Sequence, residues 1–197
     1  PILRNLCLFS AYPEFQSKED DFTDLRLIGF DKAKLESDNH LDRMVHFFLY
    51  DYKFECVQKN SDADLEKLKR YRAVLSPDFS MYTEMAPVMQ LFNTFRNRWC
   101  GAYYASKGIR VIPSVSWGEE NTFEFCFDGI EKGSTVVVST YMVSAHNNQA
   151  FFLKGYNEML RQIEPDRQLT IQMAHRNLKH MSEIYVKDYK KNSLEDN

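Results

Sequence analysis

Short apolar runs that each break at a polar residue constrain this chain more than any other feature. Ala73-Val74-Leu75 gives way to Ser76-Pro77-Asp78, and Val111-Ile112-Pro113 to Ser114-Val115-Ser116-Trp117. Val136-Val137-Val138 ends in Ser139-Thr140, and Leu169-Thr170-Ile171-Gln172-Met173 repeats the pattern more weakly. Strands buried on both faces read as continuous apolar runs, and they belong to parallel sheets covered by helices. Ligands of such sheets gather at the carboxyl ends of the strands, so the polar residues closing each run mark the edge where a site belongs.

Helical patterns separate the runs. From Glu84 to Lys107 the residues Met85, Val88, Met89, Phe92, Phe95, Trp99 and Tyr103 recur at three- and four-residue steps. That spacing predicts one apolar face turned to the core, with Thr83 as cap, Pro87 in the first turn and Gly108 as the stop. The helix joins the strand at Val74 to the strand at Val111, as a right-handed parallel crossover requires. Met44 to Leu49 reads as a further strand, Asp51 to Lys59 as a short helix, and a helix carrying Leu65 and Leu68 follows. Glu119 to Asp128 fits helical spacing, although Phe123, Phe125 and Phe127 also alternate as in a strand. Phe152, Tyr156, Met159, Leu160 and Ile163 mark a helix capped by Asn147 or Asn148, and Leu178, Met181, Tyr185 and Tyr189 predict a terminal one. Strand alternating with helix is the α/β signature. With 197 residues the expectation is one α/β domain over 1–190, with 1–40 as an irregular arm and 191–197 as a frayed tail. About five strands are legible, too few for a closed eight-stranded barrel, so the sheet is mainly parallel and either open or an incomplete barrel.

Charge and motifs narrow the classes. A net charge of -3 with acids and bases interspersed weighs against the concentrated basic face of a non-specific nucleic-acid binder and leaves a local basic patch open. The longest apolar stretches fall well short of the ~20 residues of a membrane span, and no charged-then-apolar leader opens the chain, which points to the cytoplasm. Cys7, Cys56, Cys100 and Cys126 form no C-x-x-C pair and three of them adjoin large apolar residues, so buried free thiols are expected. His175 and His180 are five apart and His46 lies within a strand run, which leaves no metal set. No phosphate-cradling glycine motif is present, and neither cofactor nor metal is predicted.

The candidate residues lie at the strand ends. Pro77 halts its strand and places Asp78 at the sheet edge, where a carboxylate can serve as base or orienting group. Asp78, Glu120 and Asp128 are the catalytic candidates, since paired carboxylates are what glycoside cleavage uses. Ser76, Ser80, Ser116 and Ser139 offer hydroxyls, Trp117 a pocket wall, and Arg96 and Asn97 polar groups from the long helix. Each has a structural reading too: Asp and Ser form turns and caps, and both arginines of Arg96-Asn97-Arg98 suit a solvated helix face. A pairing of Arg96 with Asp78 follows only if Asp78 is buried and ionised.

Taken in order, five segments add a resemblance. Val45-His46-Phe47-Phe48 to Phe54-Glu55 comes first, then Val74-Leu75-Ser76-Pro77-Asp78-Phe79-Ser80-Met81-Tyr82 and Met89-Gln90 to Asn93-Thr94-Phe95-Arg96-Asn97-Arg98. Val111-Ile112-Pro113-Ser114-Val115-Ser116-Trp117-Gly118 and Glu124-Phe125-Cys126-Phe127-Asp128-Gly129-Ile130 complete the set. Together they resemble the domain of unknown function 4417 family over roughly Phe22 to Ile163. The resemblance implies a bacterial, phage or mobile-element protein and no particular reaction. The family's strand and glycine after the last helix are replaced here by Leu169-Thr170-Ile171-Gln172-Met173-Ala174-His175. Two functions remain. One is an accessory protein that binds a protein or nucleic-acid partner, with Arg96, Arg98, Lys107, Arg110, Lys179, Lys187 and Lys190 as basic contacts. The other is an enzyme of hydrolase or glycosidase type, its carboxylate pocket at the sheet edge taking a nucleotide-like or sugar-like substrate. Assembly of identical subunits is compatible with either.

Overall fold

A computed structural model describes residues 25–35, 38–82, 84–140, 149–165, 167–173 and 182–188. Strands β1 (Arg26–Gly29), β2 (His40–His46), β3 (Tyr71–Leu75) and β4 (Val111–Ile112) pair in chain order, all parallel. Strands β5 (Thr135–Ser139), β6 (Arg167–Met173) and β7 (Ser182–Asp188) form a second set, with β5 and β6 parallel and β7 antiparallel. A parallel bridge between Ser114 and Val137 stitches the sets together, with Val115 N–H donating to the Val137 carbonyl at 2.8 Å and Val137 N–H to Pro113 at 2.9 Å. The runs at Val74, Val111 and Val136 therefore lie side by side and point the same way. The order never reverses, and the sheet does not close among the described residues.

Right-handed crossovers added always in one direction place their helices on a single face. The packing agrees. Val45, Val74 and Val111 turn towards Val57 of α1 (Cys56–Lys59), Leu68 of α2 (Leu65–Leu68) and Cys100, Tyr104 and Ala105 of α3 (Pro87–Ser106). Met44, Ala73, Leu75, Ile112 and Val137 turn the other way and pack on one another and on Leu25, Leu27 and Phe48. Strand side chains thus fill the second face of the sheet, as they fill the inside of a small barrel. A third cluster, holding Val115, Trp117, Phe127, Val136, Val138, Met159 and Ile163, seats α4 (Gln149–Ile163) against β5.

Five expectations change. The arm predicted over 1–40 contributes β1, an edge strand on β2, while residues 1–24 lie outside the described residues. The predicted terminal helix is instead β7, paired with β6 across its whole length: Ile184 and Val186 alternate with polar neighbours, and a strand partner was at hand. Glu119 to Asp128 holds only a 3-10 turn over Glu120–Glu124, and Cys56 is exposed. The largest change concerns α3, which stops at Gly108 (φ 78°) as predicted and packs Trp99 and Tyr103 of the predicted face against the core, but in its first half buries the opposite face. Val88, Met89 and Phe92 are exposed, while Gln90, Asn93, Thr94, Arg96, Asn97 and Arg98 are buried. The reason lies beneath the helix. Its second half rests on apolar strands and presents small or apolar residues, whereas its first half covers loops whose carbonyls have lost their ladder partners. Thr83, Asn147, Asn148, His175 and His180 lie outside the described residues.

Candidate functional site

Pro77 has no N–H to offer a ladder, so β3 stops and its neighbours must be satisfied by side chains. Ser76 and Ser114, at adjacent strand ends, do so reciprocally. Ser114 N–H donates to Ser76 Oγ at 2.9 Å, and Ser114 Oγ donates to the Ser76 carbonyl at 2.8 Å. Asn97 of α3 closes the ring: its Nδ2 reaches the Pro77 carbonyl at 2.8 Å and Ser114 Oγ at 2.9 Å, and its Oδ1 accepts from Ser76 Oγ at 2.9 Å. A fully paired buried network of this kind rigidifies the sheet edge.

Arg98 extends the network towards the loop after β4. Its guanidinium is buried and donates to the Cys126 carbonyl at 2.7 Å, the Asp128 carbonyl at 3.0 Å and Asn97 Oδ1 at 2.6 Å. Burial lowers its pKa to about 10, so it remains a cation at neutral pH. The electrostatic partner among the candidates is Asp78. Desolvation raises that carboxyl to about 7, Asp51 pushes the same way, and the Ser116 hydroxyl and Arg98 oppose the rise. Asp78 Oδ1 is buried without a hydrogen-bond partner. Asn93, Thr94, Asn97, Arg98 and Ser116, with Phe79, Met81 and Cys126, line a cavity of about 10 Å³, enough for one water, and Asp78 is joined to that lining through Ser116.

A second layer lies outwards. Asp51 accepts from Ser80 N–H at 3.2 Å and from Ser80 Oγ at 2.7 Å, and Asn93 Nδ2 donates to the Ser80 carbonyl at 2.6 Å. Arg96 donates to Asn93 Oδ1 at 2.7 Å and stands 4.0 Å from both Asp51 and Glu55. Its guanidinium lies 3.8 Å over the Phe79 ring and 5.3 Å from the Phe92 ring. Arg96 is therefore paired with Asp51 and Glu55, and the arginine that acts on Asp78 is Arg98. Both arginines are buried and committed, which removes them from the set of basic contacts.

The structure thus gathers Ser76, Asp78, Asn97 and Ser116, with Ser80 and Arg96 one layer out. Trp117 is a packing residue, tilted against Phe127 and Phe152 at ring distances of 6.0 and 5.2 Å. Glu120 is exposed and ion-paired with Lys154, and no described contact joins it to Asp78. Asp128 reaches the site through its backbone carbonyl. Ser139 ends β5 with Ile171 as its strand partner. Ser114, Asn93 and Asp51 escape sequence reasoning, although Gln90, Asn93 and Asn97 form a visible polar stripe at helical spacing. Among the described residues no three His, Cys, Asp or Glu side chains gather as a metal set, and no helix is long and apolar enough to cross a membrane. Burial pushes the Cys100 and Cys126 thiols up to about 12, far from the range of a reactive thiolate.

Around Asp51 the surface is unusual. Tyr50, Tyr52, Tyr82, Val88, Met89 and Phe92 are between 44% and 76% exposed, and they come from the segments tied together by Asp51, Ser80, Asn93 and Arg96. Ser80 Oγ lies 3.2 Å from the Tyr82 hydroxyl, and the Tyr50 and Tyr52 rings stack at 5.9 Å.

A family model described as "Domain of unknown function (DUF4417)" matches residues 8–190. The Gene 1 protein of Mycobacterium phage L5 is 40% identical over 141 residues, 71% of this chain and 60% of that protein. The Gene 1 protein of Mycobacterium phage D29 is 42% identical over 122 residues, 61% of this chain and 45% of that protein. The chain thus spans 60% and 45% of the lengths of these two curated relatives. No solved structure matches.

Proposed function

The chain belongs to the DUF4417 family, and from that premise we propose that it is an accessory protein that docks a protein partner on the aromatic face around Asp51. The observation that carries this reading is the exposure of Tyr50, Tyr52, Tyr82, Val88, Met89 and Phe92 in one neighbourhood. Soluble proteins rarely leave such a patch uncovered unless something binds it, and Tyr, Phe, Met and Arg are the residues interfaces favour. A nucleic-acid partner fits less well. Arg96 and Arg98 are buried, and the patch holds the carboxylates of Asp51 and Glu55, which repel phosphate.

The test is site-specific photo-crosslinking in the native host. A benzophenone side chain at position 52 or 92 is expected to yield a protein adduct, and one at exposed position 153 of α4 to yield none. Equal adducts at all three positions, or adducts with nucleic acid alone, remove the reading.

A second reading is favoured by one specific observation, the unpartnered Oδ1 of Asp78 on a residue hydrogen-bonded to Ser116, which lines a water-sized cavity. A carboxyl raised to about 7 can both accept and donate a proton at neutral pH, the property a general acid–base needs. In that reading Asp78 exchanges protons with a hydroxyl oxygen in the cavity, while Arg98 supplies a fixed positive charge.

A further inference from the structure

We propose that Tyr52 and Tyr82, with Tyr50 stacked behind Tyr52, form with Asp51 a recognition site for the cationic side chain of a lysine or arginine on the docked partner. The proposal rests on the docking reading and adds the chemistry of the occupant. Three features support it.

The first is the character of the rings. A tyrosine face carries negative potential and attracts a cation within about 6 Å of its centre. Tyr50, Tyr52 and Tyr82 expose 53%, 76% and 48% of their surfaces, and Tyr50 and Tyr52 stack within 12° of parallel, which fixes a flat wall. The second is charge. Asp51 and Glu55 each stand 4.0 Å from the Arg96 guanidinium, so two carboxylates meet one buried cation there, with Lys59 also paired to Glu55 at 3.1 Å. A cation on the partner would meet these carboxylates favourably, and an acidic or phosphate-bearing partner would be repelled by them. The third is that the fold already uses this chemistry next door. The Arg96 guanidinium lies over Phe79 and beside Phe92, within 4.0 Å of Asp51. A cation between ring and carboxylate is thus the resident arrangement just beneath this surface.

The hydroxyl of Tyr82 strengthens the case, because Ser80 links it to Asp51 and holds the loop at the site. Val88, Met89 and Phe92 then receive the apolar remainder of the partner segment. The occupant is therefore a basic apolar stretch of protein.

The experiment follows the Tyr52 and Tyr82 ring resonances of the full chain by NMR. The probes are N-acetyl-lysine methylamide, its neutral Nε-acetyl analogue, N-acetyl-arginine methylamide and an oligothymidylate. Both cations are expected to shift the rings saturably, with the neutral analogue about threefold weaker or worse, the range of an exposed cation–π contact. Tyr52→Phe keeps the binding and Tyr52→Leu weakens it about threefold; Tyr52 is exposed, so neither change threatens the fold. Equal binding of the neutral analogue, unchanged binding in Tyr52→Leu, or stronger shifts with oligothymidylate overturn the proposal. The two ideas fail separately. A protein photoadduct at position 92 without cation preference leaves docking standing and removes the cation site, whereas absence of any adduct removes docking itself.

Discussion

Two buried titratable side chains oppose each other in their effect on stability. Asp78 is raised from 3.8 to about 7, chiefly by burial. The folded state therefore holds a proton that the unfolded chain has released, and stability falls as pH rises from about 4 to about 7, then levels. Three units correspond to about 4 kcal/mol at the outside. His46, also buried, is lowered from 6.5 to about 4 by desolvation, so its neutral form stabilises the fold and that stability is lost as pH falls from 6.5 to 4. Between pH 4 and 6.5 the two slopes oppose. In Asp78→Asn the His46 slope stands alone and stability is expected to rise with pH across that window; above pH 7 the variant gains on the wild type, because the cost of burying a carboxylate is gone. Urea midpoints at pH 5, 6.5 and 8 measure this. A constant difference between variant and wild type over that range removes the buried, near-neutral Asp78, and with it the acid–base reading of the cavity.

At the scale of elements, α3 shows how a helix can carry two stripes and bury the polar one. Met85, Val88, Met89 and Phe92 make an apolar row, and Gln90, Asn93, Asn97 and Gly101 make a second row at the same period, so periodicity alone cannot choose between them. The choice is made by what each half covers. Where Pro77 and Ser80 leave carbonyls without strand partners, Asn97 and Asn93 are needed; where Val74 and Val111 lie below, Cys100 and Ala105 suffice. Strand positions were legible because a doubly buried strand is apolar whatever its neighbours are. Asp78 at the edge was legible because Pro77 must end a strand. Arg98, Ser114 and Asp51 were not, since their roles depend on loops brought together only by folding. The same logic sets an expected contrast. Asn97→Leu leaves the Pro77 carbonyl and the Ser76 hydroxyl without their partner and is expected to cost about 3 kcal/mol. Val88→Ser, on the row that sequence alone assigns to the core, is expected to change stability by less than about 0.5 kcal/mol. Chemical denaturation of the two variants decides it, and comparable losses would return the apolar row to the interior.

For the whole molecule the decisive place is the seam between β4 and β5. Strand β4 is two residues long, and it reaches β5 through the Ser114–Val137 bridge with its flanking bonds at 2.8 and 2.9 Å. On either side the sheet is better knit: β2 and β3 are longer, and β5 pairs with β6 along its full length. What holds the seam shut is packing from α4. Trp117, just beyond β4, lies so close to α4 that a Cβ on Gly155 would stand 2.1 Å from its Nε1. Glycine within a helix ordinarily costs about 1 kcal/mol relative to alanine, so Gly155→Ala on an exposed helix would stabilise. Here the added methyl must push Trp117 away or tilt α4, and the sign is expected to reverse, to a loss of about 1–3 kcal/mol. The loss should be local. Amide exchange at Val115 and Val137, whose N–H groups cross the seam, is expected to quicken in Gly155→Ala before any change at Val45 or Val74, which lie in the β1–β4 set. Uniform acceleration across all four amides would mean that the two sheets unfold as one cooperative unit and that the seam is no weaker than the rest. Preferential opening would also loosen the edge carrying Ser114 and Ser116, the second of which lines the cavity at the strand ends.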